Sequence, residues 1–463
     1  MTNRARWFWT AFLFAHSAAL VFLFPDSYQQ DGGVHFLAAR FAYRHPECLI
    51  GVWTRPLFTF LYSLPAQFGY PAAKLFTAAV IAATGHITAL LAGAMGFRRA
   101  WLAYPLLLVQ PVVVLLSFDT MTETLFALFL VAALYSHRIG RPWIAALLIS
   151  FLPTIRAEGF FVAVFWGFVM LADPRLGSPW VRIPKTLVLA LGAAVWWIAA
   201  WAVSGDFLYI VHQWAYRGGH EYGYPTLAWY RDIGFEYAGP LVFVLAAIGI
   251  VREWAHGRRL PFLLWIFFFC LQAATWELGI SAGYARHFAC VAPIIALLAV
   301  SAIEATGRPA WPRVWAAALL LGLGWSWFLA VRYVDGQPWL RDAFAVREAH
   351  AWYRGSGRGA PRKLVWSQAY MAILFDLDLE NGLAAFRSRE YGLEMLRGFP
   401  AGTLIFWDGE TGPSWYKIDA PDFEAAGFRR IYGMKHRLAG YGERWGFGRG
   451  WVREQEIKLY VKE

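Results

Sequence analysis

Apolar residues come in long continuous runs over the first two thirds of the chain, separated by short polar segments. The first run covers 7–24; others follow at 71–95, 101–116, 122–136, 143–155, 159–172, 186–203, 238–251, 260–275, 288–303 and 311–331. A transmembrane helix needs ~20 mainly apolar residues. The pattern therefore predicts a polytopic α-helical membrane protein with about 11 transmembrane helices. The runs at 143–155 and 159–172 are short, and read as two tilted spans or as a hairpin around Arg156-Ala-Glu-Gly159. Fusing them would place an arginine and a glutamate at mid-bilayer, which is costly. Between the first two runs, 34–43 has the spacing of a short interfacial helix, and 56–64 reads as a second.

From Arg332 onward the pattern changes. Residues 332–463 carry 37 of the 73 charged residues, with glycine- and arginine-rich loops such as Arg354-Gly-Ser-Gly-Arg-Gly359. Short β-rich runs at 363–367, 403–407, 428–432 and 457–461 alternate with helical stretches at 341–353, 369–375 and 389–398. This predicts a small α/β domain over 332–463 behind a transmembrane domain over 1–331. It contains no nucleophile elbow, phosphate loop or metal-ligand spacing.

Composition agrees with the pattern. Of 463 residues, 59% are hydrophobic and only 16% charged, against about 25% charged in soluble domains. The net charge of +11 gathers in one set of loops, so it reads as a topology signal and not as nucleic-acid binding. With sides alternating, that set holds Arg4, Arg6, Arg98, Arg99, Arg138, Arg141, Arg175, Arg182, Lys185, Arg252, Arg258, Arg259, Arg308 and Arg313. Its acids are Asp173, Glu253 and Glu304, whereas the opposite loops hold more acids than bases. The positive-inside rule then makes the amino terminus cytoplasmic and, after an odd number of spans, the carboxyl terminus external. The expected place is the cell's inner membrane, with 7–24 as a retained signal anchor. Cys48, Cys270 and Cys290 form no readable disulfide or metal pattern.

The polar residues that fall on the external side are the candidates for chemistry. Asp31, in Gln30-Asp-Gly-Gly-Val-His35, follows the first run directly. A carboxylate at a desolvated helix end can take a proton from a hydroxyl, so Asp31 is the candidate general base; its plainer reading is an exposed acid beside a Gly-Gly turn. Arg156 and Arg286 carry planar forks that bind phosphate oxygens two at a time. Their plainer readings are an ion pair with Glu158 and a snorkelling anchor. Asp119 and Glu123 flank a helix start, where acids also simply favour the dipole. Arg55, Glu158 and His287 complete the substrate-binding set. The loop 204–237 is rich in aromatic residues and glycine, including Tyr209, His212, Trp214, Tyr216, His220, Tyr222, Trp229 and Tyr230. Such faces suit a sugar or headgroup, and equally an interfacial aromatic belt.

With these residues in order, the chain resembles membrane glycosyltransferases of the C-type fold, near the bacterial protein O-mannosyltransferase and aminoarabinose transferase families. The resemblance rests on the Asp31 stretch, Arg55-Pro-Leu-Phe58 and Ser117…Thr122-Glu-Thr-Leu125. It extends through Arg156-Ala-Glu-Gly159, Tyr284-Ala-Arg-His-Phe…Pro293 and the α/β tail. It departs where Gly32 stands in place of a second acid, and where His287 replaces an aromatic residue. The resemblance implies inverting transfer of a hexose or pentose from a polyprenyl-phosphate carrier to a glycan, lipid or protein acceptor on the external face. A lipid-linked donor needs no nucleotide site, and the motifs neither require nor exclude a divalent metal. The rival readings are a transporter or flippase of lipid-linked saccharides, and a non-catalytic member of the fold. A transporter would want ionisable groups along a transmembrane path; within the runs His86 is the clearest, and it suits a core position.

Overall fold

The computed structural model describes residues 2–25, 29–214, 224–305, 314, 317–326, 328, 338–366, 368–378, 383–385, 389–409, 420–441 and 450–463. The chain forms two compact units, one of 1–24 with 46–330 and the other of 25–45 with 331–463.

The first unit is helical. Among the described residues five helices are long and apolar enough to cross a membrane: Asn3–Leu23, Tyr70–Ala94, Pro179–Ser204, Leu260–Glu277 and Ala285–Glu304. The pair Leu227–Ala238 and Pro240–Ala255 makes a sixth if read as one span, bent by 102°. Shorter apolar helices cover Pro142–Thr154, Glu158–Ala172 and Ala317–Ser326. The expected eleven spans are therefore not reproduced one for one. Proline is one reason, since it removes a helical N–H and clashes with the preceding turn. The run at 101–116 is broken near Pro105 and Pro111 into Ala100–Leu102, Ala103–Leu108 and Pro111–Leu116. The runs at 143–155 and 159–172 are two separate helices, with Arg156 in the turn between them. The end of the run at 311–331 lies outside the described residues.

Close packing relies on small residues, as it does where lipid replaces water as the solvent. A Cβ added at Gly249 would lie 1.9 Å from the Leu298 carbonyl oxygen, so these helices touch backbone to backbone. One added at Gly159 would lie 2.2 Å from the Leu152 carbonyl carbon. This explains the glycine that closes the Arg156 turn.

The second unit is α/β. Strands β1 (Lys363–Trp366), β2 (Leu383–Ala385), β3 (Thr403–Asp408), β4 (Phe428–Tyr441) and β5 (Gly450–Lys462) form a sheet of order β2-β1-β3-β5-β4. β1 runs parallel to β2 and β3, while β5 is antiparallel to β3 and β4. Every residue of the central strand β3 is buried, as expected for a strand covered on both faces. Val365, Leu396, Ile405, Phe423, Phe428 and Tyr460 pack as one core on the sheet. The helices at Pro338–Gly355, Ala369–Phe375 and Arg389–Gly398 meet the sequence expectation, while β2 had no clear signal in its three residues.

One stretch groups differently from the expected division at 331/332. Residues 25–45, read as part of the membrane domain, belong with 331–463. Their helix, Gln30–Phe41, begins earlier than the periodicity of 34–43 indicated. Gly32 and Gly33 are buried within its first turn and do not form a Gly-Gly turn.

Candidate functional site

Several helices of the first unit begin close together. Glu123 stands in the first turn of Thr122–Arg138 and Glu158 opens Glu158–Ala172. Acids in these positions are favoured by the partial positive charge of a helix amino terminus. Arg156, in the preceding turn, joins them. Its Nη1 lies 2.8 Å from Glu123 Oε1 and donates to Thr122 Oγ1 at 3.0 Å. Its Nε and Nη2 donate to Glu158 Oε2 and Oε1 at 3.2 and 2.8 Å. The sequence left a choice between phosphate ligand and ion pair; the ion pair with Glu158 is present, and Glu123 extends it.

The network continues into two later elements. Gln272 Nε2 donates to Glu158 Oε1 at 3.2 Å, and Gln272 Oε1 is 3.1 Å from His287 Nδ1. An amide oxygen only accepts, so Nδ1 of His287 carries the proton and donates to it. In the neutral ring Nε2 is then the acceptor nitrogen. Arg286 reaches the same carboxylate from another side, with Nε 3.9 Å from Glu123 Oε1. Its guanidinium lies 5.0 Å from the centre of the Tyr284 ring. Glu123 is fully buried, and the side chains of Arg156, Glu158 and Arg286 are only 10, 14 and 14% exposed.

Asp119 lies just before the same helix. Its Oδ1 accepts from the Tyr70 hydroxyl at 3.1 Å and from the Thr120 N–H at 2.7 Å. The Lys74 ammonium sits 4.4 Å from the centre of the Tyr70 ring, and Lys74 is buried. A lysine inside an apolar run is a functional signal in a membrane protein, and sequence reasoning passed over Lys74, Tyr70, Thr122 and Gln272 as site residues.

Arg55 caps the helix Pro56–Ala66 at φ 63°, a left-handed conformation, and its side chain is buried. A residue before proline favours extended backbone, and an arginine held at positive φ costs about 1–3 kcal/mol. Its guanidinium lies 5.9 Å from the Trp53 ring centre.

The structure thus brings together Glu123, Arg156, Glu158, Arg286 and His287. Asp119 joins the Tyr70 and Lys74 pair. Asp31 belongs to the second unit, at the first turn of Gln30–Phe41, and is partly buried. Of the aromatic loop, residues 215–223, with Tyr216, His220 and Tyr222, lie outside the described residues. Trp229 is described, and its indole donates to the Gly283 carbonyl at 2.8 Å. Among the described residues, no three histidine, cysteine or acidic side chains stand as a metal-binding group.

No family model matches the chain, and no curated protein matches it in sequence. Solved structures do resemble it. ArnT from Cupriavidus metallidurans in the apo state is 12% identical, with 97% of each chain covered and a TM-score of 0.54. ArnT bound to undecaprenyl phosphate is 11% identical, covering 97% of this chain and 98% of that one, with a TM-score of 0.55. The mycobacterial arabinofuranosyltransferase AftD is 16% identical over all of this chain and 42% of its own, with a TM-score of 0.48. At such identities likeness speaks for fold alone, and it is end to end with ArnT: this chain is a multi-pass helical membrane protein with the C-type glycosyltransferase fold and a small carboxyl-terminal sheet domain.

Proposed function

We propose that the protein is an inverting glycosyltransferase that moves a pentose or hexose from a polyprenyl-phosphate carrier to a glycan, lipid or protein acceptor. In this reading it sits in the inner membrane with its amino terminus inside, and the 331–463 unit faces the external compartment. The acceptor hydroxyl attacks the anomeric carbon while the bond from that carbon to the phosphate oxygen breaks. Asp31 takes the hydroxyl proton as general base, and polyprenyl phosphate leaves with its electron pair.

What supports the reading is the buried network that Glu123, Arg156, Glu158, Gln272 and His287 build beside Arg286, on a fold shared with ArnT, which has been solved with undecaprenyl phosphate bound. We assign the lipid phosphate to Arg286, whose fork binds oxygens in pairs. The guanidinium N–H groups of Arg156 are directed to Glu158, Thr122 and Glu123, so Arg156 acts by fixing Glu123, which in turn faces Arg286. Asp119, Arg55 and His287 are assigned to the sugar and acceptor.

Transfer from a panel of undecaprenyl-phosphate pentoses and hexoses tests this. Asp31→Asn keeps the size and removes the proton acceptor, and general-base catalysis is commonly worth about 10²–10⁴-fold. Asp31→Asn is expected to insert and fold normally, bind donor and lose nearly all transfer. Transfer within a few-fold of the parent would give the proton to another acid. Movement of intact donor across a vesicle membrane without sugar transfer would make the protein a flippase.

A further inference from the structure

We propose that the Gln30–Phe41 helix, which carries Asp31, is positioned by a clasp to the Ala369–Phe375 helix, with Gln30, Arg40 and Asp376 as positioning residues. This rests on the assignment of Asp31 as the base.

The helix is weak by itself. It has 12 residues, and two of the first four are glycines. Isolated helices shorter than ~12–15 residues are marginal in water, and interior glycine weakens them further. Asp31 lies in the weakest turn. One contact on that turn comes from a partner more than 300 residues away in sequence.

At the leading end, the Gln30 side-chain oxygen accepts the Ala369 N–H at 2.9 Å. Ala369 begins its own helix, so this N–H has no intrahelical partner. Gln30, next to Asp31, supplies one. At the trailing end, Arg40 Nε and Nη2 donate to Asp376 Oδ1 and Oδ2 at 3.0 and 2.7 Å, a two-point fork. The Asp376 carboxylate holds the Arg40 guanidinium above its ordinary pKa through that hydrogen bond. Asp376 ends the Ala369–Phe375 helix in the left-handed conformation, φ 47°, which aspartate tolerates better than most residues. Beyond it, His45 Nε2 and Arg44 Nη1 meet Asp378 at 2.8 and 3.2 Å. Both ends of the Gln30–Phe41 helix are thus tied to the ends of one short helix, parallel to it. Two anchors at opposite ends fix both the axial position and the rotation of the helix. A simple tether would need only one.

The test uses the full-length protein in lipid nanodiscs, with Arg40→Gln, Arg40→Lys, Asp376→Asn and the Arg40→Gln/Asp376→Asn double variant. Asparagine also tolerates the left-handed conformation, so Asp376→Asn leaves the turn intact. Amide exchange over 30–41 is measured beside kcat and donor KM for release of undecaprenyl phosphate from the same donor panel. Misplacing a catalytic group by 1 Å can cost ~100-fold; for this half-exposed pair the expected loss in kcat is roughly three- to thirtyfold. Donor KM should hold, exchange over 30–41 should rise, and Arg40→Lys should recover part of the rate. The double variant should be no slower than the slower single one, as for two residues acting as one unit. Faster exchange with unchanged kcat would make the clasp a tether only, and unchanged exchange would remove it altogether. Asp31→Asn is run in parallel: if it stays active, the base assignment fails whatever the Arg40 variants do. If it is inactive while the Arg40 variants keep the parental rate, only the clasp fails.

Discussion

Two arginine clusters of the helical unit differ in how much backbone they hold. In one, arginines reach backbone carbonyls as well as buried acids: Arg258 pairs with Glu253 and Arg175 with Asp173, each at 2.7 Å. Arg258 Nη1 donates to the Met95 carbonyl at 2.7 Å, Arg138 Nε to Ala94 at 3.1 Å, Arg99 Nη1 to Ile303 at 3.2 Å and Arg182 Nη1 to Leu171 at 2.7 Å. These are last-turn carbonyls that lack a helical partner, and a cation there also suits the dipole. In the other, at the starts of Thr122–Arg138 and Glu158–Ala172, the arginines meet side chains: Arg156 meets Glu123, Glu158 and Thr122, and Arg286 meets Glu123. Backbone capping makes a helix end durable whatever the protein does. A buried network of charged side chains costs desolvation and is satisfied by one defined arrangement. We assign the chemistry to the second cluster because it gathers Glu123, Arg156, Glu158, Arg286 and His287, all singled out from the sequence.

That contrast can be broken by mutation. The largest effect is expected at Arg156, because its removal leaves Glu123 and Glu158 buried without their cation. Breaking such a pair costs about 3–5 kcal/mol, so Arg156→Met should fail to accumulate or unfold far earlier than the parent in a detergent melt. Arg182→Gln removes two hydrogen bonds to the carbonyls of Gly177 and Leu171 and should cost only about 1–2 kcal/mol, with transfer unchanged. Similar losses in both variants would erase the difference between the two clusters.

A smaller effect separates strain from chemistry at Arg55. At φ 63° glycine is unstrained and alanine is not, so Arg55→Gly should be more stable than Arg55→Ala by about 0.5–1 kcal/mol. Both variants lose the cation, so their transfer rates should fall together. If Arg55→Ala were the more stable of the two, the backbone at this turn would not be under strain.

The sequence made the apolar runs legible because a membrane span is written as composition over ~20 residues. It also carried the sorting of the loops, since charge is counted one residue at a time. The helix at 122–138 and the break at Arg156 follow from such local signals. The pairing of Gln272 with Glu158 joins residues 114 apart, and no periodicity encodes which polar side chain will face another across that distance. Lys74 was visible as one charge within an apolar run, yet the same run made it look like an edge residue. The grouping of 25–45 with the carboxyl-terminal unit was hidden for the same reason. Arg40 and Asp376 are 336 residues apart, and each looks like an ordinary surface charge until the fold joins them.

The assignment of the donor phosphate to the Glu123 cluster is tested most directly by the affinity of undecaprenyl phosphate for the purified protein in nanodiscs. Arg286→Lys and Arg258→Lys are compared with the parent, one in each cluster. Each variant keeps its charge and loses the two-point fork. A charge-assisted contact is worth about 1.5–3 kcal/mol, so Arg286→Lys should bind roughly ten- to a hundredfold more weakly, with Arg258→Lys matching the parent. Parental affinity in Arg286→Lys, or equal losses in the two variants, would contradict the assignment.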